Sequence, residues 1–492
     1  MLLIILFVFI LLLMLCYGLN EVRLRSSPLV PSIPNAIPAF SYGLSKKDLF
    51  TKLMYMGEFT NKHNGAAKFN IGPIYIYIIT NPEDAATVAN QCVHKLFVYK
   101  LIDSYVGSEL ISASYPVWKK NRRFIDNAFK PIVLDSFLEI FNKQSKRLVS
   151  SLRYEENKTF DITDIITRNI LEIVCQTTLG FKTEDKDIVT DEYAAAVQSM
   201  LKIMTERVQY PWLMLDFIFK FSSLKKKQDE MLKIIWSLTD EMVTLRRKEY
   251  QDRLLMGETN YNDGSFRSYL DILIENSDKT NEYTNSQLRN IVDNLMLAGY
   301  DTSTYQILFA LICLGTYPEI QEKAYQEICK VMDSSEKDLT KEDLSSLTYL
   351  EAVIKETIRL YPIGPVIARH SDKKVQLKNF ELPSGVPVVV HVWSINRNPE
   401  VWGPDADQFR PERWLDPNSI PSNPAAFASF GPGRRNCIGK SYSIMLMKTV
   451  LSHFVYNYKI TSDHTKLQFE LVVMLKPYSG HLVKIEKRSE IK

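Results

Sequence analysis

The residues with the clearest chemical potential lie near the C-terminal end of the chain, in the segment Phe430–Gly439 (FGPGRRNCIG). Cys437 is its one soft ligand, and the glycines around it let the backbone approach a planar guest closely. An apolar-periodic stretch follows directly, so a helix start would point its N–H groups at the sulfur and favour thiolate over thiol. Zinc and iron–sulfur sites take several Cys or His ligands, whereas one thiolate can be the single protein ligand of haem iron.

The spacing Phe-x-x-Gly-x-Arg-x-Cys-x-Gly is formed by Phe430, Gly433, Arg435, Cys437 and Gly439. It resembles the haem-binding signature of the cytochromes P-450, and five fixed residues make such a match specific. The competing interpretation is a buried cysteine in a glycine-rich turn, because free cysteines are usually small core residues.

Length and composition favour a single large catalytic domain. The chain has 492 residues, with no segment that looks like a linker between domains. Its formal net charge of +3 is nearly balanced, which gives no indication of a nucleic-acid partner. The six cysteines are scattered without CxxC pairs, which argues against a zinc module or a disulfide scaffold and indicates a reducing compartment.

The N-terminus predicts a membrane anchor. Residues 1–20 are almost entirely apolar, and Arg23 and Arg25 follow, so the positive-inside rule places the rest of the chain in the cytosol. A cleaved signal peptide would instead need basic residues before the apolar run and a small-residue cleavage site after it. Residues 21–40 contain four prolines and read as a stiff hinge. Residues 41–492 then form the predicted catalytic domain.

The remaining patterns are mostly helical. A strand is predicted at 72–80, a buried helix at 169–181 closed by Gly180, and the longest helix at 285–317. The segment 467–485 reads as a closing hairpin that turns at 477–480, with a tip able to line a pocket. The expected fold is mainly α with small β-sheets (α+β), and the resemblance implies haem lying between the long central helix and the cysteine loop.

The long helix carries Leu297-Ala298-Gly299-Tyr300-Asp301-Thr302-Ser303 at its centre. An acid and a hydroxyl inside an apolar helix are costly unless they are used, and the hydroxyl can bond a carbonyl one turn back and loosen the helix. The stretch resembles the Ala-Gly-x-Asp/Glu-Thr oxygen-activation motif of the cytochromes P-450. The resemblance implies that Asp301 and Thr302 are catalytic and relay protons.

Two further constellations occur in the family order. Trp118 and Arg122 share one helix face, like the Trp-x-x-x-Arg pair that holds a haem propionate, although an ordinary amphipathic helix would have the same pattern. On the other side Lys119, Lys120 and Arg123 form a basic face, where the family docks its electron donor.

The second constellation is a charge cluster. Glu356 and Arg359 lie one helical turn apart, and with Arg413 they match the buried Glu–Arg–Arg cluster of the family. Without Arg413, a Glu-x-x-Arg pair would carry almost no information.

The resemblance covers the whole chain and is greatest to the animal clan that contains the fatty-acid ω-hydroxylases, with an insect-like character. It implies a microsomal monooxygenase of the endoplasmic reticulum membrane, with the catalytic domain facing the cytosol, that inserts one oxygen atom of O2 into a hydrophobic substrate. The implied partners are NADPH-cytochrome P-450 reductase, cytochrome b5 as a second donor, membrane lipid, and no nucleic acid. The implied haem contacts are Trp118, Arg122, Ala298, Arg369, Phe430, Gly431, Arg435, Cys437 and Gly439.

One position departs from this clan. Many of its members carry Glu where this chain has Ala298, and that Glu can become ester-linked to the haem. A methyl group cannot form the ester, so we expect haem b that is bound without a covalent link to the porphyrin.

Two other activities remain open on sequence grounds, a haem–thiolate isomerase or dehydratase and a non-catalytic haem carrier or gas sensor. Asp301 and Thr302 argue against the isomerase, which has no need of a proton relay. Two lesser features also have alternatives: 209–221 is either core or a membrane-dipping entrance, and His391 is expected to be structural rather than a ligand.

Overall fold

The computed structural model describes residues 30–34, 45–71, 74–181, 191–256 and 266–488. The predicted anchor at 1–20 and most of the hinge at 21–40 therefore lie outside the described residues. None of the helices within the described ranges has the length and apolar character of a bilayer-spanning segment.

Helices dominate these ranges, as predicted. In chain order they are α1 (Lys46–Lys62), α2 (Pro82–Gln91), α3 (Asp103–Val106), α4 (Tyr115–Asp126), α5 (Pro131–Ser136), α6 (Leu138–Ser151), α7 (Thr163–Leu179), α8 (Asp191–Gln209), α9 (Asp216–Phe219), α10 (Ser223–Leu255), α11 (Tyr269–Thr280), α12 (Asn285–Thr316), α13 (Pro318–Ile328), α14 (Lys341–Ser346), α15 (Thr348–Leu360), α16 (Val392–Ile395), α17 (Pro399–Trp402) and α18 (Lys440–Asn457).

The strands are short. They are β1 (Ala66–Ile71), β2 (Ile74–Ile79), β3 (His94–Lys95), β4 (Thr159–Asp161), β5 (Ile367–Ser371), β6 (Val375–Gln376), β7 (Glu381–Leu382), β8 (Val386–Val390), β9 (Tyr458–Thr461), β10 (Phe469–Val472), β11 (Met474–Pro477) and β12 (Leu482–Lys487).

The chain divides into two compact units. The first, unit 1, comprises Met1–Phe97, Arg359–Gln408 and Asn418–Cys437. Its five-stranded sheet has the order β1-β2-β8-β5-β3, and β6 pairs with β7. Alternate β-branched and aromatic residues of β2 and β8 face a core with buried Tyr77 and Val388, as is typical of half-buried strands. Part of the proline-rich hinge joins this unit, because Ile33 N–H donates to Lys68 O over 2.8 Å.

The second unit, unit 2, comprises Val98–Ile358, Phe409–Pro417 and Ile438–Lys492. It holds most of the helices, with the long α12 packed against α7 and α18 packed against α6. A capping box at Thr284 and Gln287 starts α12, and Gly180 in the left-handed conformation ends α7, as predicted. The small sheets of this unit have the orders β4-β12-β9 and β10-β11.

The predicted position of the turn in the closing hairpin is wrong. A turn follows Pro477, but the strand after it, β12, pairs with β9 and β4 instead of β11. The hairpin is formed by β10 and β11, and it reverses at Val473, which has a φ of 56°. A β-branched residue rarely adopts this left-handed conformation, so turn-forming residue types pointed to 477–480 instead.

Candidate functional site

The cysteine loop of unit 1 forms a tight turn that leaves the cysteine side chain exposed. A short 3-10 helix ends at Phe430, and Gly431 and Gly433 follow with φ values of 80° and 81°. The backbone N–H of Cys437 donates to Phe430 O over 2.8 Å and closes the turn. The side chain of Cys437 is exposed. Helix α18 begins three residues further on, at Lys440, with Gly439 as its N-cap.

The other cysteines in the described ranges have different surroundings. Cys92, Cys175 and Cys313 are buried and Cys329 is half-buried. Burial raises the pKa of the Cys92, Cys175 and Cys329 thiols, and so disfavours the thiolate form. Among the described cysteines, Cys437 is thus the one whose thiol is exposed. This finding argues against the buried-cysteine interpretation and supports the predicted ligand role.

Three basic side chains, those of Lys95, Arg369 and Arg435, lie near each other in unit 1. Lys95 on β3 lies directly opposite Arg369 on β5 in the antiparallel register, so both side chains leave the same face of the sheet. Arg435 of the cysteine loop donates to Val93 O over 3.2 Å, next to the start of β3. Burial and the like charges of Arg369 and Arg435 lower the pKa of Lys95 well below its usual value. Lys95 was not predicted from the sequence, because only the strand pairing brings it to Arg369.

These residues fit a haem group. One exposed thiol suits a single axial ligand, and the cluster of cations suits the two propionate carboxylates. The loop also needs its glycine: a Cβ on Gly433 would lie 2.8 Å from the carbonyl carbon of Ala89. Among the described residues, no group of three or more His, Cys, Asp or Glu could hold a metal ion.

In unit 2, the long helix has one accessible stripe. Within the span Ile291–Gly315, the residues that are not buried are Ala298, Gly299, Thr302 and Tyr305. Ala298, Thr302 and Tyr305 follow the spacing i, i+4, i+7 and share a face. The hydroxyl of Thr302 donates to Ala298 O over 2.6 Å, the expected carbonyl one turn back. The expected interruption of the helix is absent, because α12 is continuous across this bond.

Asp301 lies beside this stripe and is buried, with 3% of its surface exposed. Its Oδ1 lies 2.6 Å from Nζ of Lys476 on β11, and its Oδ2 accepts no hydrogen bond. Sequence reasoning missed Lys476. The visible signal was a single lysine within the apolar run of β10 and β11, but nothing in the sequence indicated its partner.

Two members of the predicted charge cluster, Glu356 and Arg413, form a buried ion pair in unit 2. Arg413 donates to Glu356 over 2.9 Å, and both side chains are fully buried. Glu356 also accepts from Arg410 N–H and from the Trp414 indole, each over 3.0 Å.

The guanidinium of Arg359 has carbonyl partners in unit 1. It donates to Asn396 O over 2.7 Å, and also to Ala406 O and Gln408 O. Its ring contact is with Trp402, whose centroid lies 5.0 Å from the guanidinium carbon. Within unit 1, Arg359 therefore links the segments that follow α16 and α17.

The predicted propionate helix is present as α4. Trp118 is buried and stacks on Tyr115, with ring centroids 5.8 Å apart. Arg122 forms an ion pair with Asp126 over 2.9 Å. His391 is structural, as expected. It is buried, its Nε2 lies 2.9 Å from the carbonyl oxygen of Leu53, and burial lowers its pKa to about 4.

Comparison with known proteins agrees with this arrangement. The family model named cytochrome P450 matches residues 31–483. The chain is similar to cytochrome P450 4V2 of Mus musculus, with 28% identity over 475 residues that cover 94% of this chain and 90% of that one. It is also similar to cytochrome P450 4c21 of Blattella germanica, with 28% identity over 484 residues and 96% coverage of each chain. Cytochrome P450 4g1 of Drosophila melanogaster is 29% identical over 465 residues, with 87% and 84% coverage.

The family match covers nearly the whole described chain and includes the exposed Cys437, while the similar proteins come from both mammals and insects. The chain therefore belongs to the cytochrome P450 family, and it is a monooxygenase whose cofactor is thiolate-ligated haem b.

Proposed function

We propose that this chain is a microsomal monooxygenase that hydroxylates an apolar lipid, terpenoid or foreign compound with electrons from NADPH-cytochrome P-450 reductase. Cytochrome b5 is the second proposed donor. The observation that carries this proposal is the Asp301–Thr302 pair on α12, where an accessible hydroxyl lies next to a buried carboxylate. A haem carrier or an isomerase would have no use for such a pair.

The proposed haem contacts divide by role. Cys437 is the axial ligand, Arg369 and Arg435 contact propionates, and Lys95 is a third basic side chain beside them. Phe430, Gly431 and Gly439 shape the cysteine loop. From the family resemblance, Trp118 and Arg122 are further propionate contacts and Ala298 faces the porphyrin. With Ala298 in place of Glu, the haem is held without an ester link.

When bound, the haem supplies the activation of O2, and the chain supplies orientation and protons. Thr302 Oγ1 holds its proton on Ala298 O and can turn it toward a guest on the accessible stripe. Asp301 Oδ2, which accepts no hydrogen bond, is the atom that can take up a proton and return it to Thr302.

The deciding experiment is an assay of oxygen uptake, NADPH oxidation and product in the presence of the reductase, with fatty acids, terpenoids and pesticides as substrates. A monooxygenase consumes O2 and NADPH and forms product, all in a substrate-dependent way. Turnover of a peroxide substrate without NADPH would identify an isomerase or dehydratase. Binding of CO without any NADPH-dependent oxygen uptake would identify a carrier or sensor.

We expect Thr302→Val to lower the ratio of product to NADPH by at least about tenfold, because the variant keeps the side-chain shape but loses the proton donor. Substrate affinity should be unchanged, since binding involves no proton transfer. Thr304→Val is the matched control: Thr304 lies on the same helix, is buried, and its hydroxyl has no hydrogen-bond partner. Equal coupling in Thr302→Val and wild type would remove Thr302 from the relay.

The basic face of α4 is the proposed reductase surface. Lys119, Lys120 and Arg123 are exposed there. Lys120 is engaged locally, since its Nζ lies 3.3 Å from Glu282 and 5.2 Å from the ring centroid of Tyr283. Lys119 and Arg123 are therefore the better probes of docking.

We expect Lys119→Glu/Arg123→Glu to slow reduction by the reductase by about tenfold or more at low salt, with the difference shrinking as salt screens the charges. Lys226→Glu/Lys227→Glu on α10 makes the same change in net charge and should leave the rate near that of wild type. Peroxide-supported turnover bypasses docking and should survive. Loss of that turnover as well would show damage to the helix.

The proposed location on the microsomal membrane is supported by an exposed aromatic surface on the apolar segment 209–221, which includes α9. Phe217 and Phe221 are 69% and 84% exposed. Leu213 and Phe219 are buried and pack with Ile203. The segment therefore combines the two interpretations left open by the sequence, with one side in the core. We propose that its exposed aromatic side rests on the microsomal membrane.

A further inference from the structure

Lys476 is an almost buried lysine that connects the C-terminal hairpin to the long helix within unit 2. Its side chain is 13% exposed, and its Nζ lies 2.6 Å from Asp301 Oδ1. The same nitrogen lies 4.4 Å from the ring centroid of Tyr305, one helical turn beyond Asp301. The ammonium group is thus enclosed by two residues of α12.

A buried ammonium is costly unless its partners compensate for lost hydration. Glu470 lies directly opposite Lys476 in the register of β10 and β11, so a carboxylate is available within the hairpin itself. The short contact is nevertheless with Asp301. The geometry of the hairpin therefore directs the lysine to the helix, where Tyr305 adds a cation–π contact.

This contact leaves the two oxygens of Asp301 with different tasks. Oδ1 is committed to Lys476, whereas Oδ2 is buried and accepts no hydrogen bond. An unconstrained carboxylate could rotate and exchange the two oxygens. The ion pair resists rotation to other orientations and fixes the plane of the carboxylate, so one oxygen faces Lys476 while the other stays open for a proton.

We propose that Lys476 is a positioning residue for the proton relay, a proposal that rests on the proposed function. Lys476 holds Asp301 so that Oδ2 is the atom that exchanges protons. Lys476 keeps its own protons. Oδ2 takes one proton from a hydronium ion of the solvent, leaving water, and passes it to Thr302 Oγ1, while Thr302 gives its hydroxyl proton to the guest on the accessible stripe. Asp301 and Thr302 therefore end each cycle in their starting protonation states, and the net proton comes from the hydronium ion.

The first test measures the contact itself, by amide hydrogen exchange in the full chain. Lys476→Met and Asp301→Asn should each speed exchange in β10 and β11 by at least about threefold, because each removes the link that holds the hairpin to α12. The double variant should exchange no faster than either single variant. Lys466→Met is the matched control, since that nearby lysine is 79% exposed. Wild-type exchange in Lys476→Met would overturn the proposal.

The second test separates positioning from folding, with NADPH-driven and peroxide-driven turnover compared in each variant. Lys476→Met should lower the product-to-NADPH ratio by about tenfold and raise the solvent deuterium isotope effect on turnover, because proton delivery becomes slower. Peroxide-driven turnover and substrate affinity should stay within about twofold of wild type. Lys476→Arg, which keeps the charge, should restore most of the coupling.

Equal losses of NADPH-driven and peroxide-driven turnover in Lys476→Met would show a structural role only and overturn the proposal. The proposed function itself would fail on a different result. In that case the wild-type protein would show neither the thiolate-type spectrum of the reduced CO complex nor NADPH-dependent formation of product. The hydrogen-exchange experiment detects the Lys476–Asp301 ion pair independently of haem. Failure of the positioning role and failure of the proposed function are therefore distinguishable.

Discussion

Cys437→His is expected to abolish the red-shifted absorption band that a thiolate ligand gives to the reduced CO complex. Monooxygenase turnover should fall more than about 100-fold, which corresponds to roughly 2.7 kcal/mol or more on the barrier. The physical reason is the ligand: a neutral imidazole donates less electron density to iron than a thiolate does. Haem content, measured separately by extraction, should fall less than activity, because the cations at Arg369 and Arg435 remain.

The structure offers a matched control for this experiment. Cys329 is the next most accessible described cysteine, and it is half-buried. Cys329→Ser should therefore keep both the thiolate band and the activity. Persistence of the band in Cys437→His would mean that another cysteine ligates the iron, and the assignment of the loop would be wrong.

Local features of the site could be predicted from the sequence. The cysteine loop is continuous in the chain, so its glycines, its turn and the helix after it leave a contiguous pattern. The same holds for the hydrogen bond from Thr302 to Ala298 O, which spans one helical turn. The boundaries of α12 also came close to the prediction, because a capping box starts the helix and a long apolar run follows.

Contacts that depend on folding could not be predicted. Lys476 and Asp301 are 175 positions apart, and only the placement of the hairpin against α12 brings them together. Lys95 meets Arg369 through the strand register of β3 and β5. The hairpin turn was also hidden, since Val473 has no residue-type signal for a left-handed conformation. In each case the missing information is three-dimensional pairing and not local preference.

The buried pair of Glu356 and Arg413 likewise depends on folding, and it carries the largest expected effect on stability. Glu356 and Arg413 are 57 positions apart, and their side chains are fully buried. Burying an ion pair need not stabilise a protein by itself, because both charges lose their hydration. Removing one partner is different, since the remaining charge stays buried without compensation. Glu356 has the further task of accepting from Arg410 N–H and the Trp414 indole.

We therefore expect Glu356→Gln to lower the free energy of unfolding by about 3–5 kcal/mol, measured by chemical denaturation of the purified protein. Glutamine keeps the size of the side chain but leaves the Arg413 guanidinium without a counter-charge. Glu58→Gln is the matched control: its ion pair with Lys62 is solvent-exposed, so the loss should stay below about 1 kcal/mol.

A double variant, Glu356→Gln/Arg413→Met, tests the cause of that loss. If the cost comes from an uncompensated charge, removing the guanidinium should recover part of the stability lost in Glu356→Gln, and the two changes should be strongly non-additive. If the cost came only from imperfect packing around Glu356, the second change would add its own loss. Additive losses in the double variant would therefore show that the pairing of Glu356 with Arg413 is not what stabilises this part of unit 2.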